Sequence, residues 1–139
     1  MPHTFSTSSV TLDACLLMGA AAVKKAHELG IKIALTVVDN AGNTKYYICM
    51  DNAPLIASDI SRKKAITAVG FGMPTGGPWQ DFIKDDPILN NGVQNIHDFM
   101  LLGGGFPIMV DNQLAGAVGV SGAHYSQDEA VAQAALAAL

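Results

Sequence analysis

Three consecutive glycines, Gly103-Gly104-Gly105, lead into Phe106-Pro107-Ile108, and after a short turn the chain continues as Gly116-Ala117-Val118-Gly119-Val120-Ser121-Gly122. Glycine at that density lets backbone approach backbone or ligand and reach positive φ, at a cost in conformational entropy. Two strand ends are therefore expected to face something held close, with room beside the glycines for a guest molecule.

The elements around this stretch follow from local chemistry. Thr11 can cap a helix whose apolar positions Leu12, Leu16, Gly19, Val23 and Ala26 recur at helical spacing, with Asp13 in the first turn and Gly30 as the stop. Ile31 to Val38 is a continuous β-branched and apolar run, and Asp39-Asn40-Ala41-Gly42-Asn43 turns it back into a second strand, Thr44 to Met50. A second helix is expected from Leu55 to Val69, with Ile56, Ile60, Ala65 and Val69 near one face and Lys64 at its apolar edge. Glycines and prolines between Gly70 and Pro78 interrupt regular structure, leaving loops and one helical turn at Trp79 to Lys84.

Three short strands are then expected, at Asp98 to Leu102, Phe106 to Val110 and Gln113 to Ser121, the last two joined through Asp111-Asn112. Ser126 and Glu129 form a capping box for a final Ala/Leu-rich helix reaching Leu139. The order α-β-β-α-β-β-β-α gives an α+β fold, a five-stranded antiparallel sheet with helices packed on it, as a single domain over residues 1–139.

Composition narrows the function. Only 14% of residues are charged while 50% are hydrophobic, against roughly a quarter charged in an ordinary soluble domain. Some surface is expected to be covered by other copies of the chain. A net charge of −4, with Arg62-Lys63-Lys64 the sole basic cluster, argues against nucleic acid as a partner. No apolar run reaches the length of a membrane span, and the N-terminus lacks the order of a signal peptide, so the chain reads as cytoplasmic. Cys15 and Cys49 read as reduced thiols.

Phosphate-loop, dinucleotide, zinc-protease and nucleophile-elbow signatures are all missing. No two of His3, His27, His97 and His124 have metal-ligand spacing within one segment, although a single axial ligand to haem needs none. His27 falls in the last turn of the first helix, His97 before a strand, and His124 in the loop before the last helix. Met50, Met73, Met100 and Met109 read as core fillers. Asp39 and Asp51 read as turn makers that could serve as acids or bases if buried.

Taken together, Val37-Val38-Asp39-Asn40-Ala41-Gly42-Asn43, Met50-Asp51-Asn52-Ala53, Lys63-Lys64-Ala65-Ile66-Thr67-Ala68, Gly72-Met73-Pro74-Thr75, Gly104-Gly105-Phe106-Pro107-Ile108 and the Gly116 to Gly122 block with Asp128-Glu129-Ala130 resemble the GlcG/HbpS-like family. The resemblance spans nearly the whole chain and is greatest to members that accompany glycerol or diol dehydratase genes. It implies a profilin-like domain and a homo-oligomer built from dimers up to octamers. It also implies haem or a related tetrapyrrole as a possible ligand of a non-catalytic binding protein. On that reading His27, His97 and His124 are axial candidates, and Lys64 with the amides of Gly103, Gly104 and Gly105 could hold a propionate or carboxylate. Two other readings remain open: an accessory protein of glycerol, diol or glycolate metabolism, and a small enzyme for a carbonyl or hydroxy-acid substrate using Asp39 or Asp51 with Lys64.

Overall fold

The computed structural model describes residues 1–139. Helix α1 runs from Leu12 to Leu29, where Thr11 Oγ1 accepts the Ala14 amide at 3.1 Å and Gly30 ends the helix in the left-handed region at φ 68°. Strands β1 (Ala34–Asp39) and β2 (Thr44–Cys49) form the expected hairpin. Its turn is organised by Asp39, whose Oδ1 accepts the Ala41 and Asn43 amides at 3.0 and 2.9 Å. Helix α2 follows at Ala57–Phe71, then two short helices, α3 (Gly77–Ile83) and α4 (Pro87–Gly92), and a 3₁₀ turn at Val93–Asn95. Strands β3 (Gly105–Val110) and β4 (Gln113–Ser121) are joined by Asp111 and Asn112, both at positive φ, and helix α5 spans Tyr125–Ala137. No helix is long and apolar enough to cross a membrane.

The sheet has the order β2-β1-β4-β3 with every neighbouring pair antiparallel. Helices α1 and α5 cover one face, where Met18, Ala22, Leu35, Val37, Val118, Val120 and Val131 belong to one buried cluster. Helix α2 covers the other, with Ala65 and Ala68 against Val38 and Ala117. Because β1 is central and buried on both faces, its sequence lacks polar alternation, and its one buried polar side chain, Thr36, pairs with the Ser61 hydroxyl at 2.8 Å. On the α2 side, β4 presents small residues, Ala117, Gly119 and Ser121, and the helix backbone comes very close. A Cβ at Gly119 would stand 2.0 Å from the Ser61 carbonyl oxygen and 2.7 Å from the Ala65 nitrogen.

The sheet thus has four strands, and the expected strand Asp98 to Leu102 is not among them. That segment lies against α2 and takes part of its hydrogen bonding there, while its Leu101 carbonyl accepts the Gly76 amide. The Thr67 hydroxyl accepts the Met100 amide at 2.9 Å, and Arg62 holds the Asp98 carboxylate at 2.9 and 3.0 Å. Asp98 itself is left-handed at φ 64°, which breaks an extended run. Helix α4 was not anticipated; Asp86 caps it by accepting the Ile88 and Leu89 amides. The expected capping box is also replaced. Helix α5 is capped by His124 Nδ1, which accepts the Ser126 amide at 3.2 Å, and the Glu129 side chain packs at Gly103 instead.

Two outcomes follow for stability. Gly119→Ala forces backbone apart from backbone and is expected to destabilise the fold by about 3 kcal/mol, measured as a lower urea midpoint. The backbone amide of Asn43, with that of Ala41, holds the Asp39 carboxyl below the usual carboxylate range. It therefore contributes stability above the unfolded value of roughly 3.9, and the contribution is lost as pH falls through the lower native value. Asp39→Asn should lower the melting temperature near neutral pH, with the difference from wild type closing in acid.

Candidate functional site

The glycine run packs the chain on itself. A Cβ at Gly103 would meet Glu129 Oε1 at 1.8 Å, one at Gly104 would meet the Val120 carbonyl at 2.6 Å and Lys64 Nζ at 3.0 Å, and one at Gly105 would meet the Lys64 carbonyl at 2.5 Å. The Gly105 amide already donates to Thr75 Oγ1 at 2.9 Å. The space beside Gly104 and Gly105 is taken by Lys64 and Thr75, whereas Gly103 packs against Glu129 and also borders a hollow of about 350 Å³ lined by Gly76, Gly77, Gln80, Leu101, Leu102 and Tyr125.

Lys64 occupies the centre of this packing. It projects from α2 with its side chain 1% exposed, and Nζ donates to the Val120 carbonyl at 2.8 Å and to Asp128 Oδ2 at 2.9 Å. The other carboxylate oxygen of Asp128 accepts the Ala123 amide at 3.1 Å. Burial pushes the Lys64 ammonium down from its ordinary value and the Asp128 carboxyl up, each opposed by the other's charge. The cation expected to hold an anion is thus already paired inside the protein.

The three candidate histidines occupy three separate places. His27, at the end of α1, lines a groove of about 580 Å³ between α1 and β2. Leu16, Ala20, Val23, Tyr46 and Ile48 make most of its walls, with Met50, Cys49, Lys32 and Asp51 also lining it. The Tyr46 ring is seated where α1 has no side chain, since a Cβ at Gly19 would come within 2.7 Å of its Cε1. His124 lines a second hollow of about 330 Å³ together with Lys64, Ser121 and Asp128. His97 is a surface side chain, 96% exposed, 3.4 Å from Asp98.

Of the predicted residues, then, Lys64 and His124 share one hollow, His27 and Asp51 share the groove, and His97 stands apart. Asp39 remains in its hairpin turn, bonded to backbone amides. Sequence reasoning missed Asp128 as the partner of Lys64, and Lys32, Cys49 and Ser121 as lining residues. The one signal available was Lys64 at the apolar edge of a helix, a position that demands a buried carboxylate somewhere in the chain.

Removing one member of the buried pair leaves a charge without compensation. Lys64→Met is expected to destabilise the protein by about 3 to 5 kcal/mol. Lys64→Met combined with Asp128→Asn should recover more than half of that loss, because Asn still accepts the Ala123 amide while carrying no charge. Equilibrium urea unfolding of the single and double variants checks both values.

Residues 10–137 match the profile of the family described as haem degrading protein HbpS-like. An uncharacterized 15.0 kDa protein from the dhaT-dhaS intergenic region of Citrobacter freundii is 33% identical over 129 residues, covering 93% of this chain and 91% of that protein. The crystal structure of the Klebsiella pneumoniae protein ORFY superposes with a TM-score of 0.91 at 33% identity, over 99% of this chain and 95% of the other. A PduOC:heme complex superposes with a TM-score of 0.88 at 28% identity, over 94% and 95%. With the family profile spanning nearly all of the sequence, the chain belongs to the HbpS-like family.

Proposed function

We propose that the protein is a non-catalytic binding protein for haem or a related tetrapyrrole, held in the groove between α1 and β2. The observation that carries this reading is the position of His27, the one candidate histidine lining the groove of about 580 Å³ between α1 and β2. At about 580 Å³, with mostly apolar walls, the groove falls in the range of pockets that take a small-molecule cofactor. The residues present fit such a guest. Leu16, Val23 and Ile48 offer apolar surface to a flat macrocycle, His27 supplies an imidazole, and Lys32 supplies a cation for a propionate in place of the internally paired Lys64. Bound haem would supply an iron centre with an axial position open to an imidazole. The likeness to the PduOC:heme complex over 94% of the chain supports the same ligand class.

In this reading the protein acts in the cytoplasm as a homo-oligomer built from dimers, up to an octamer. Leu12, Leu17, Leu55 and Ile88 are 52%, 55%, 98% and 84% exposed, apolar surface that further copies of the chain would cover.

Haemin titration followed by absorbance tests the proposal. Wild type should develop a shifted Soret band that saturates, His27→Ala should lose it, and His97→Ala and His124→Ala should keep it. A featureless wild-type titration removes haem as the ligand. An unchanged band in His27→Ala removes the groove assignment.

A further inference from the structure

The second hollow, about 330 Å³, lies between the beginning of α2 and the beginning of α5, and the haem reading makes no use of it. Its floor contains the Lys64–Asp128 pair. Ser121, at the end of β4 and only 6% exposed, also lines it, and its hydroxyl has no hydrogen-bond partner within the chain. The oxygen is not sealed off within the protein, so the hydroxyl is open to a guest in the hollow. His124 Nδ1 lies 3.2 Å from the Ser126 amide and 2.8 Å from the Ser126 hydroxyl, and with both donating to it the ring proton is assigned to Nε2. Tyr125 opens α5 here, adding the partial positive charge of a helix start.

The balance of donors and acceptors selects the guest. Each oxygen of Asp128 accepts a hydrogen bond from inside the protein, one from Lys64 and one from the Ala123 amide, and the carboxylate is 1% exposed with its charge offset by the Lys64 ammonium at 2.9 Å, so it is satisfied internally. The Ser121 hydroxyl and His124 Nε2–H remain as donors. A guest that only accepts hydrogen bonds matches this set, and a carboxylate is such a group. The facing wall is apolar, made by Pro54, Ile56, Ala57 and Ile60. The volume stands at the lower end of the roughly 300 to 1,000 Å³ typical of ligand pockets, too small for a tetrapyrrole.

We infer that this hollow is a second binding site, for a small monocarboxylate with a short hydrocarbon tail. Ser121 Oγ and His124 Nε2 donate to the carboxylate, and Ile56 and Ile60 receive the tail. The buried Lys64–Asp128 pair fixes the end of β4 relative to α5 and so sets the spacing of the two donors.

Amide-resolved NMR titration with sodium acetate, propionate and butyrate, at ionic strength held constant with chloride, tests the site. Resonances of Ser121 to His124 should shift saturably, with affinity rising about three- to fourfold for each added methylene. Ser121→Ala, a small change that leaves the ion pair in place, should weaken butyrate by about tenfold. His27→Ala should leave carboxylate binding unchanged, so that failure of the haem reading and failure of this site are told apart. Shifts that do not saturate, that chloride reproduces, or that persist unaltered in Ser121→Ala overturn the inference.

Discussion

Lys64 starts in the helix layer on one side of the sheet and ends against Asp128 in the layer on the other. To get there it passes the end of β4 and the start of β3, donating to the Val120 carbonyl on the way. That route dictates much of the surrounding sequence. Gly104 must lack a side chain because Lys64 Nζ and the Val120 carbonyl lie where its Cβ would be, and Gly105 and Gly119 must lack one because α2 lies against both strands. A buried ion pair adds little net stability over well-packed apolar residues. Its effect here is positional: it ties α2, β4 and α5 together at one point, and Asp128 in turn fixes the Ala123 amide at the entrance to α5.

Elements whose ends are set by neighbouring residues were legible in the sequence. Thr11 and Gly30 bound α1 by local hydrogen bonds and a left-handed stop, and the two hairpins follow from Asp39 to Asn43 and from Asp111-Asn112. Elements decided by distant partners were not. Asp98 to Leu102 has the composition of a strand, yet distant residues take its hydrogen bonds: Arg62 the Asp98 carboxylate, Thr67 the Asp98 carbonyl and the Met100 amide, and Gly76 the Leu101 carbonyl. The start of α5 was misassigned for a related reason. Glu129, which would have closed a capping box with Ser126, is drawn to the gap left by Gly103, and His124 caps the helix in its place.

The same division governs the candidate sites. Lys64 stood out in the sequence because a cation does not belong on an apolar helix edge, but its partner lies 64 residues further along, and no spacing rule connects them. His27, His97 and His124 had separate places in the sequence but equal standing as ligands until the fold set their surroundings: one in the wall of a groove, one at the surface, one capping a helix. Ser121 was legible only as a member of a glycine-rich strand. Its meaning comes from an unpaired hydroxyl in a hollow that the strand pattern alone does not reveal.

Glycine density therefore needs a second observation before it is read as space for a ligand. At Gly104, Gly105 and Gly119 the missing side chains are replaced by the chain's own Lys64 and α2 backbone, while Gly103 packs against Glu129 and also borders a hollow of about 350 Å³ with Gly76, Gly77, Gln80 and Tyr125. The groove beside α1 exists because β2 is the sheet's outer strand and is only partly covered by the helix. The hollow beside α5 exists because α2 and α5 begin on opposite sides of the strand end that Lys64 bridges. Close packing at the glycines and open volume at the sheet's periphery are two results of one arrangement: pulling α2 tightly onto β4 fixes the centre and leaves the concave surfaces at the margins.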